Sequence, residues 1–564
     1  VVSNSNFVND EAIQYVKIGN EIFMVAAGEE NIYRITYNPD FATSNRFSGA
    51  FVVIPEVSFP TAIGFHEQRL IVGVENRVLM SETNSFLNFT TGIESDDPVA
   101  YTIAGANNNA SDILWIKANE RFLLVGTLSG NYVVRGGGEA DPITPNSISI
   151  RPIDSLGSAN VYAINSDSRV YFVERGRDTL RALEFNFAIR GFSTLDLNIL
   201  TKHIGEEKIR RIEFFQDDPN RLLVVLESGT MAMVVIDRET RQAAWCRINH
   251  ADGKIIDANV AFNGNGEDVV FLIVQREVNG FTGHYIEVLE PEIFYKSRED
   301  FYTGDEALDE ATYKEYLNEV FQSDIRLDSR VSFSPVIDSE VGISTTLGGQ
   351  TLLTGAGSGV AQPIEIGDRI IETNGPGVGE VIGTLTQNNI ELNIITPFSA
   401  PGFSAGGVYL SRPVFNLDHL SGLEVLLIVE NSLYKRTFGV DGSLDISDIE
   451  LSNPETAQIV LGLQYRGLIK TLPLRGFAQL GETDFKKKDI SSFFLKLDES
   501  LGLKFGTDPY DLQELESDEV YNELFPTGCL FTGVTEELYI ETDTAREAHL
   551  YFVQDNPFPV NIVT

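Results

Sequence analysis

The sequence predicts an all-β chain: a multi-bladed β-propeller, then small β-barrel or β-sandwich modules, with one short amphipathic helix between them. Three observations carry that expectation. An apolar strand pattern recurs as EIFMVAAG from Glu21, RLIVG from Arg69, RFLLVG from Arg121, RVYFVE from Arg169, RLLVVLE from Arg221 and DVVFLIV from Asp268, at start-to-start gaps of 48, 52, 48, 52 and 47 residues. Within one repeat, turn residues at 217–220, 227–229 and 237–240 divide IRRIEFFQDDPNRLLVVLESGTMAMVVIDRETRQAAWCRINH into four strands. Only residues 303–322 carry a helical apolar stripe. Small antiparallel sheets repeating about every 50 residues are the signature of propeller blades, which are stable only when neighbours cover their apolar faces. A β-sandwich with the same strand spacing is the alternative.

Taken in order, residues 1–292 are expected to form about six blades. IQYVKIG, EIFMVAAG and NIYRITY build the first. AIGFHEQRLIVG, a hairpin with His66 at its tip, opens the second, in which Phe86–Phe89 follows as a further apolar stretch. Trp115 and the turn glycines Gly126, Gly130, Gly136, Gly137 and Gly138 mark the third, NVYAINSDSRVYFVE the fourth, and GHYIEVLEPE closes the sixth. An acidic linker, 293–330, holds the helix, whose stripe is Tyr313, Tyr316, Leu317, Val320 and Phe321. A Gly/Thr-rich β insert is expected at 331–412, a β-rich domain at 413–475, and a C-terminal β-rich domain at 476–564.

The totals bound function. The chain has 564 residues, 42 Lys+Arg against 82 Asp+Glu, and a formal net charge of −40. A protein that grips nucleic acid through its phosphates needs a basic footprint, and this charge argues against one; it does not exclude DNA that passes without sticking. Two cysteines, Cys246 and Cys529, build no disulfide framework, and both read as small buried hydrophobes. No apolar run reaches the length of a membrane span. Because residue 1 is Val rather than Met, sequence is expected upstream.

No chemistry-bearing motif stands out. The six histidines, His66, His203, His250, His284, His419 and His549, are scattered, so no metal site is expected. Arg135–Gly138 is followed by no helix, as a phosphate loop would require, and NGNGED at 263–268 lacks the length of a calcium loop. There is no nucleophile elbow and no P-loop, so neither an enzyme nor a cofactor is expected. Asp305, Glu306, Asp309 and Glu310, at the start of the expected helix, are the candidates for a channel lining or an acidic contact.

The succession FHEQRLIVG, FLNFT, YTIAG, ILWI, RFLLVGTLSGNYVVRGG, RVYFVERGRDTLRALEF, RLLVVLESGTM, AAWCR and HYIEVLE resembles the tail nozzle, or tail tubular, proteins of short-tailed bacteriophages. The likeness continues through FNLDHLSGLEVLLIVEN, GLQYRGLIKTLPL, LKFGT and REAHLYFVQDNPFPVNIV. The stretch GDRIIETNGPGVGEVIGTLTQNNIELNIITPF resembles the first-catalytic-cysteine-half-like insert of some phage tail proteins, in fold only, since it contains no cysteine.

The resemblance implies a structural virion protein assembled in the bacterial host cytoplasm. It would form a homo-oligomeric ring, a hexamer, below the tail adaptor and beside the tail fibres. An acidic bore would let double-stranded DNA slide through during ejection. Such proteins carry an additional N-terminal stretch that docks to the adaptor, which the present sequence lacks. A second class of function, a propeller that binds or cleaves a glycan for host attachment, would place polar and acidic side chains at one axial pocket. Tyr33, Tyr101, Tyr132 and Tyr171 are its stacking candidates.

Overall fold

The computed structural model describes residues 13–289, 326–473 and 490–563, less short loops within each, of which 353–368 is the longest, and less 516–530. Two compact units emerge: Val1–Ile248, Lys254–Val274 and Ile286–Glu290 form the first, and Asn249–Gly253, Gln275–Tyr285 and Pro291–Thr564 the second. Six sheets, five with four strands and the sixth with three, form a β-propeller; five of them and residues 254–274 and 286–289 of the sixth lie in the first unit, and residues 275–285 of the sixth are counted with the second. Every described strand pair in the propeller is antiparallel and sequential. Blade one is Ile13–Ile18, Glu21–Ala26, Ile32–Tyr37 and Phe47–Val52; the others span 62–102, 113–154, 164–196, 209–248 and 254–289.

The recurring apolar runs of the sequence are, without exception, the second strands of the blades: Glu21–Ala26, Arg69–Val74, Phe122–Thr127, Arg169–Val173, Arg221–Leu226 and Asp268–Val278. A second strand has a strand on either side, and in blades two to five a neighbouring blade on each face, so it tolerates little polar alternation. Each pair of consecutive blades encloses an apolar core. Phe23 and Val25 meet Ile63 and Leu70 between blades one and two, Ile71 and Val78 meet Leu123 and Val125 next, and Trp115 and Leu124 meet Val170 and Phe172 after that. Leu180 and Ala182 meet Leu222 and Val224, and Leu223 and Val225 meet Val270 and Leu272.

In blade two the fourth strand is Val99–Thr102, and Phe86–Phe89 belongs to no strand. Phe86 instead packs edge-on against Phe23 and Phe65, and Phe89 is buried in the core between blades one and two. An apolar cluster in a loop that folds back on the core looks, in sequence, like a strand.

In the second unit, Asp328–Phe333, Ile459–Leu463, Glu424–Val429 and Ser432–Thr437 form one sheet. A closed barrel of six strands, running from Val336 to Ser411, is inserted between its first two strands in chain order. The Arg276 guanidinium is fully buried in this unit, donating to the Asp252 carbonyl at 2.5 Å and lying 3.5 Å from the Asp328 carboxylate, which also accepts from the Ala251 amide at 2.7 Å. Near the C-terminus, two further sheets share a core of Leu497, Leu503, Phe505, Leu550 and Phe552. The expected helix at 303–322 lies outside the described residues. The described α-helix is the single turn Lys202–Gly205.

Candidate functional site

The first strands of the blades line the propeller axis, and it is there that charge collects. Lys117 stands in the first strand of blade three, Arg211 and Glu213 in that of blade five, and Asp257 and Asn259 in that of blade six. Tyr15 comes from blade one, and Tyr162 from the segment entering blade four. Residues two apart on a strand share a face, so Arg211 and Glu213 point the same way. A register shift between Ile209 and Arg211 fixes which way that is.

The side chains interlock across the axis. The Tyr162 hydroxyl donates to the Tyr15 carbonyl at 2.9 Å, and the two rings stack with centroids 6.3 Å apart. Lys117 Nζ sits 3.5 Å from the centre of the Tyr162 ring, a cation–π contact. Arg211 directs Nε and Nη2 to one Glu213 oxygen, at 3.0 and 2.5 Å, and its Nε lies 3.7 Å from Asp257 Oδ1. Asn259 Nδ2 reaches the Tyr15 hydroxyl at 3.5 Å. Close by, the fully buried Gln14 donates to the carbonyls of Leu114 and Thr61, at 2.5 and 3.3 Å. The Thr61 hydroxyl donates to the Ile113 carbonyl at 2.6 Å.

Burial governs the protonation of this cluster. It pushes the Lys117 ammonium down to about 7, with Arg211 adding to the effect and Glu213 opposing it. It raises the Tyr162 phenol above its ordinary value. It raises the Glu213 carboxyl, which Arg211 offsets in part. Burial also works against the Arg211 charge, but Glu213 and Asp257 outweigh it and hold that guanidinium above its usual range. Two cations facing two carboxylates make the cluster close to neutral. It contains no pairing of nucleophile with base, and its polar groups are engaged with one another.

The lysine gives a pH signature. Its folded-state value lies below the ordinary 10.5, so between about pH 7 and 10.5 the unfolded chain binds more protons, and stability is lost as pH falls through that window. The melting temperature of Lys117→Met should therefore exceed that of the parent below pH 7, with the difference shrinking towards pH 10. A difference that stays flat across this range contradicts the placement of Lys117.

No protein-family model matches the chain, and no curated protein does. Among solved structures, the β-propeller domain of Myceliophteria thermophila Cps50 (Swd1) is similar at 8% identity and a TM-score of 0.31, over 50% of this chain and 90% of that one. A luciferin-regenerating enzyme is similar at 14% identity and 0.32, over 50% and 91%. A protein from Lactobacillus plantarum follows at 13% and 0.31, over 49% and 86%.

The residues singled out in the sequence fall elsewhere. Asp305, Glu306, Asp309 and Glu310 lie outside the described residues. Tyr33, Tyr132 and Tyr171 are buried strand residues, which removes them as stacking platforms; Tyr101 is exposed, on the fourth strand of blade two. His66 ends a strand, is buried, and has no hydrogen-bond partner at Nε2; burial lowers its pKa, with Glu67 opposing. Cys246 is exposed on the fourth strand of blade five and is not a core residue, while Cys529 lies outside the described residues.

The amides of Gly137 and Gly138 donate to Ser147 and Asp141. NGNGED joins the first two strands of blade six, with Asn263 and Glu267 bonded to each other. Among the described residues no group of His, Cys, Asp and Glu is placed to hold a metal ion.

Proposed function

We propose that this chain is a structural subunit of a phage tail, one copy of a ring-shaped nozzle whose acidic bore conducts the genome into the bacterial host. The observation that carries this reading is the filled axis. A ligand-binding propeller keeps its central opening for the ligand, whereas here Tyr15, Lys117, Tyr162, Arg211 and Glu213 occupy it and bond to one another. A propeller whose centre is closed by its own charge-balanced side chains serves as a rigid building block. DNA would then pass between copies of the chain arranged around a common axis, not through any one propeller.

The ordered resemblance to tail nozzle proteins supplies the assembly, and the net charge of −40 supplies the character of the bore. Carboxylates repel phosphates, so the genome slides and does not adsorb. Repeating that charge around a ring also sets the subunits against one another, and salt screens the repulsion. The mass of the assembled species, followed by light scattering from low to physiological ionic strength, should therefore rise with salt. Association indifferent to salt contradicts the acidic ring.

A further inference from the structure

Near the C-terminus two large aromatic side chains turn away from the core. Ser492–Phe493 pairs antiparallel with Leu538–Tyr539, Ser492 opposite Tyr539 and Phe493 opposite Leu538. Successive residues of an extended chain point to opposite faces. Phe493 turns inward, edge-on to Phe505 and Phe552, and Leu495, Leu538 and Ile540 pack into the same core. Phe494 and Tyr539 therefore point outward, and they are 63% and 69% exposed. Phe494 faces the stretch 535–537, because the Thr535 amide donates to the Leu495 carbonyl just beyond it.

Beside these rings stands a carboxylate held in a fixed orientation. Glu537 accepts from the Ser492 hydroxyl at 2.6 Å on one oxygen and from the Tyr539 hydroxyl at 2.9 Å on the other. The Ser492 bond first, and the Tyr539 bond after it, hold the Glu537 carboxyl below its ordinary value. Both donors are neutral. Among the described residues no Lys or Arg pairs with Glu537, and none stands over the Phe494 or Tyr539 ring. Each carboxylate oxygen can accept a second bond, so the group keeps both its charge and its free acceptor sites for a ligand.

The combination is selective where its parts are not. An apolar partner laid on the two rings would desolvate an unpaired charge, which is costly, and a neutral ligand has no use for that charge. An organic cation satisfies every group: its methyl or methylene groups lie on ring faces that attract positive charge, and the charge itself meets the carboxylate. We propose that Phe494, Tyr539 and Glu537 form a recognition site for an organic ammonium group, carried by a choline-type head group or by a lysine side chain. The net charge of −40 draws cations towards the chain, and this site selects among them. The inference goes beyond the tail reading and does not depend on it, since every residue in it belongs to the C-terminal sheets.

The test is a ligand-observed NMR titration of the full chain with choline and with 3,3-dimethyl-1-butanol, the neutral isostere of choline. Two exposed ring contacts and one exposed ion pair predict a dissociation constant of about 10 mM for choline. The alcohol should bind at least about fivefold more weakly. Glu537→Gln should abolish that preference, and Phe494→Ala and Tyr539→Ala should each weaken choline binding about two- to fivefold. All three side chains are exposed, so unchanged melting temperatures confirm that the variants fold. Nα-acetyl-lysine amide identifies the source: binding as tight as that of choline assigns the site to a protein side chain, and binding of choline alone assigns it to a quaternary head group. Choline binding unchanged in Glu537→Gln would show only the general attraction of cations to an acidic chain, and would overturn the proposal. Equal binding of the alcohol would reduce the site to an apolar patch and overturn it as well.

Discussion

Replacing Arg211 by Met should destabilise the propeller by about 3–5 kcal/mol, because it strands the Glu213 carboxylate in a low-dielectric site with its main partner gone. Both side chains are nearly buried, at 11% and 14% exposure, so solvent does little to screen the loss. For a domain of this size the expected fall in melting temperature is roughly 10 °C. The cost lies in the unpaired charge and not in the missing attraction. The double replacement Arg211→Met with Glu213→Leu should therefore recover most of the loss, since a buried ion pair and an apolar pair of similar volume are close in energy. A double variant as unstable as the single one would show that the pair does more than neutralise itself.

Trp115→Ala is expected to cost a similar amount, about 3–5 kcal/mol, by opening a cavity in the core between blades three and four. Trp115 is fully buried, its ring lies 5.7 Å from that of Phe172, and Gly126 on the adjacent strand leaves the room it needs. A Cβ at Gly126 would collide with the indole, so Gly126→Ala should destabilise the same core from the other side. The indole N–H has no hydrogen-bond partner. Trp115→Phe should accordingly lose far less than Trp115→Ala, because it gives up packing but also an unsatisfied donor. Chemical denaturation of the three variants measures the order directly.

What the sequence made legible follows from where each residue sits. The second strands, such as Arg69–Val74 and Arg221–Leu226, are covered on every side and so read as unbroken apolar runs at a constant interval. That interval was enough for the propeller. The fourth strands are half open to solvent and carry no such mark; FSGAFV and SIRPID resemble loops, and in blade two the loop Phe86–Phe89 is more apolar than the fourth strand Val99–Thr102.

The axial cluster was hidden for a different reason. Tyr15, Lys117, Tyr162, Arg211, Glu213 and Asp257 are spread over more than 240 positions, and only ring closure brings them together. The usable signal was local and easily passed over: single charges inside otherwise apolar first strands, in ILWIKAN and IRRIEFF. A charge in the interior of a buried strand must meet a partner, and five blades meet only at their axis. Cys246 escaped for the opposite reason, as an apolar neighbourhood in sequence proved to be an exposed outer strand.

The central claim is that this propeller is a building block of a tail ring. The most direct test is the mass of the purified chain in solution at physiological salt, alone and after mixing with the upper tail proteins of the phage the proposal assigns it to. The account predicts a closed ring of about six copies, formed alone or on contact with those proteins. A monomer that ignores them, and instead shifts on addition of a host oligosaccharide, would contradict it.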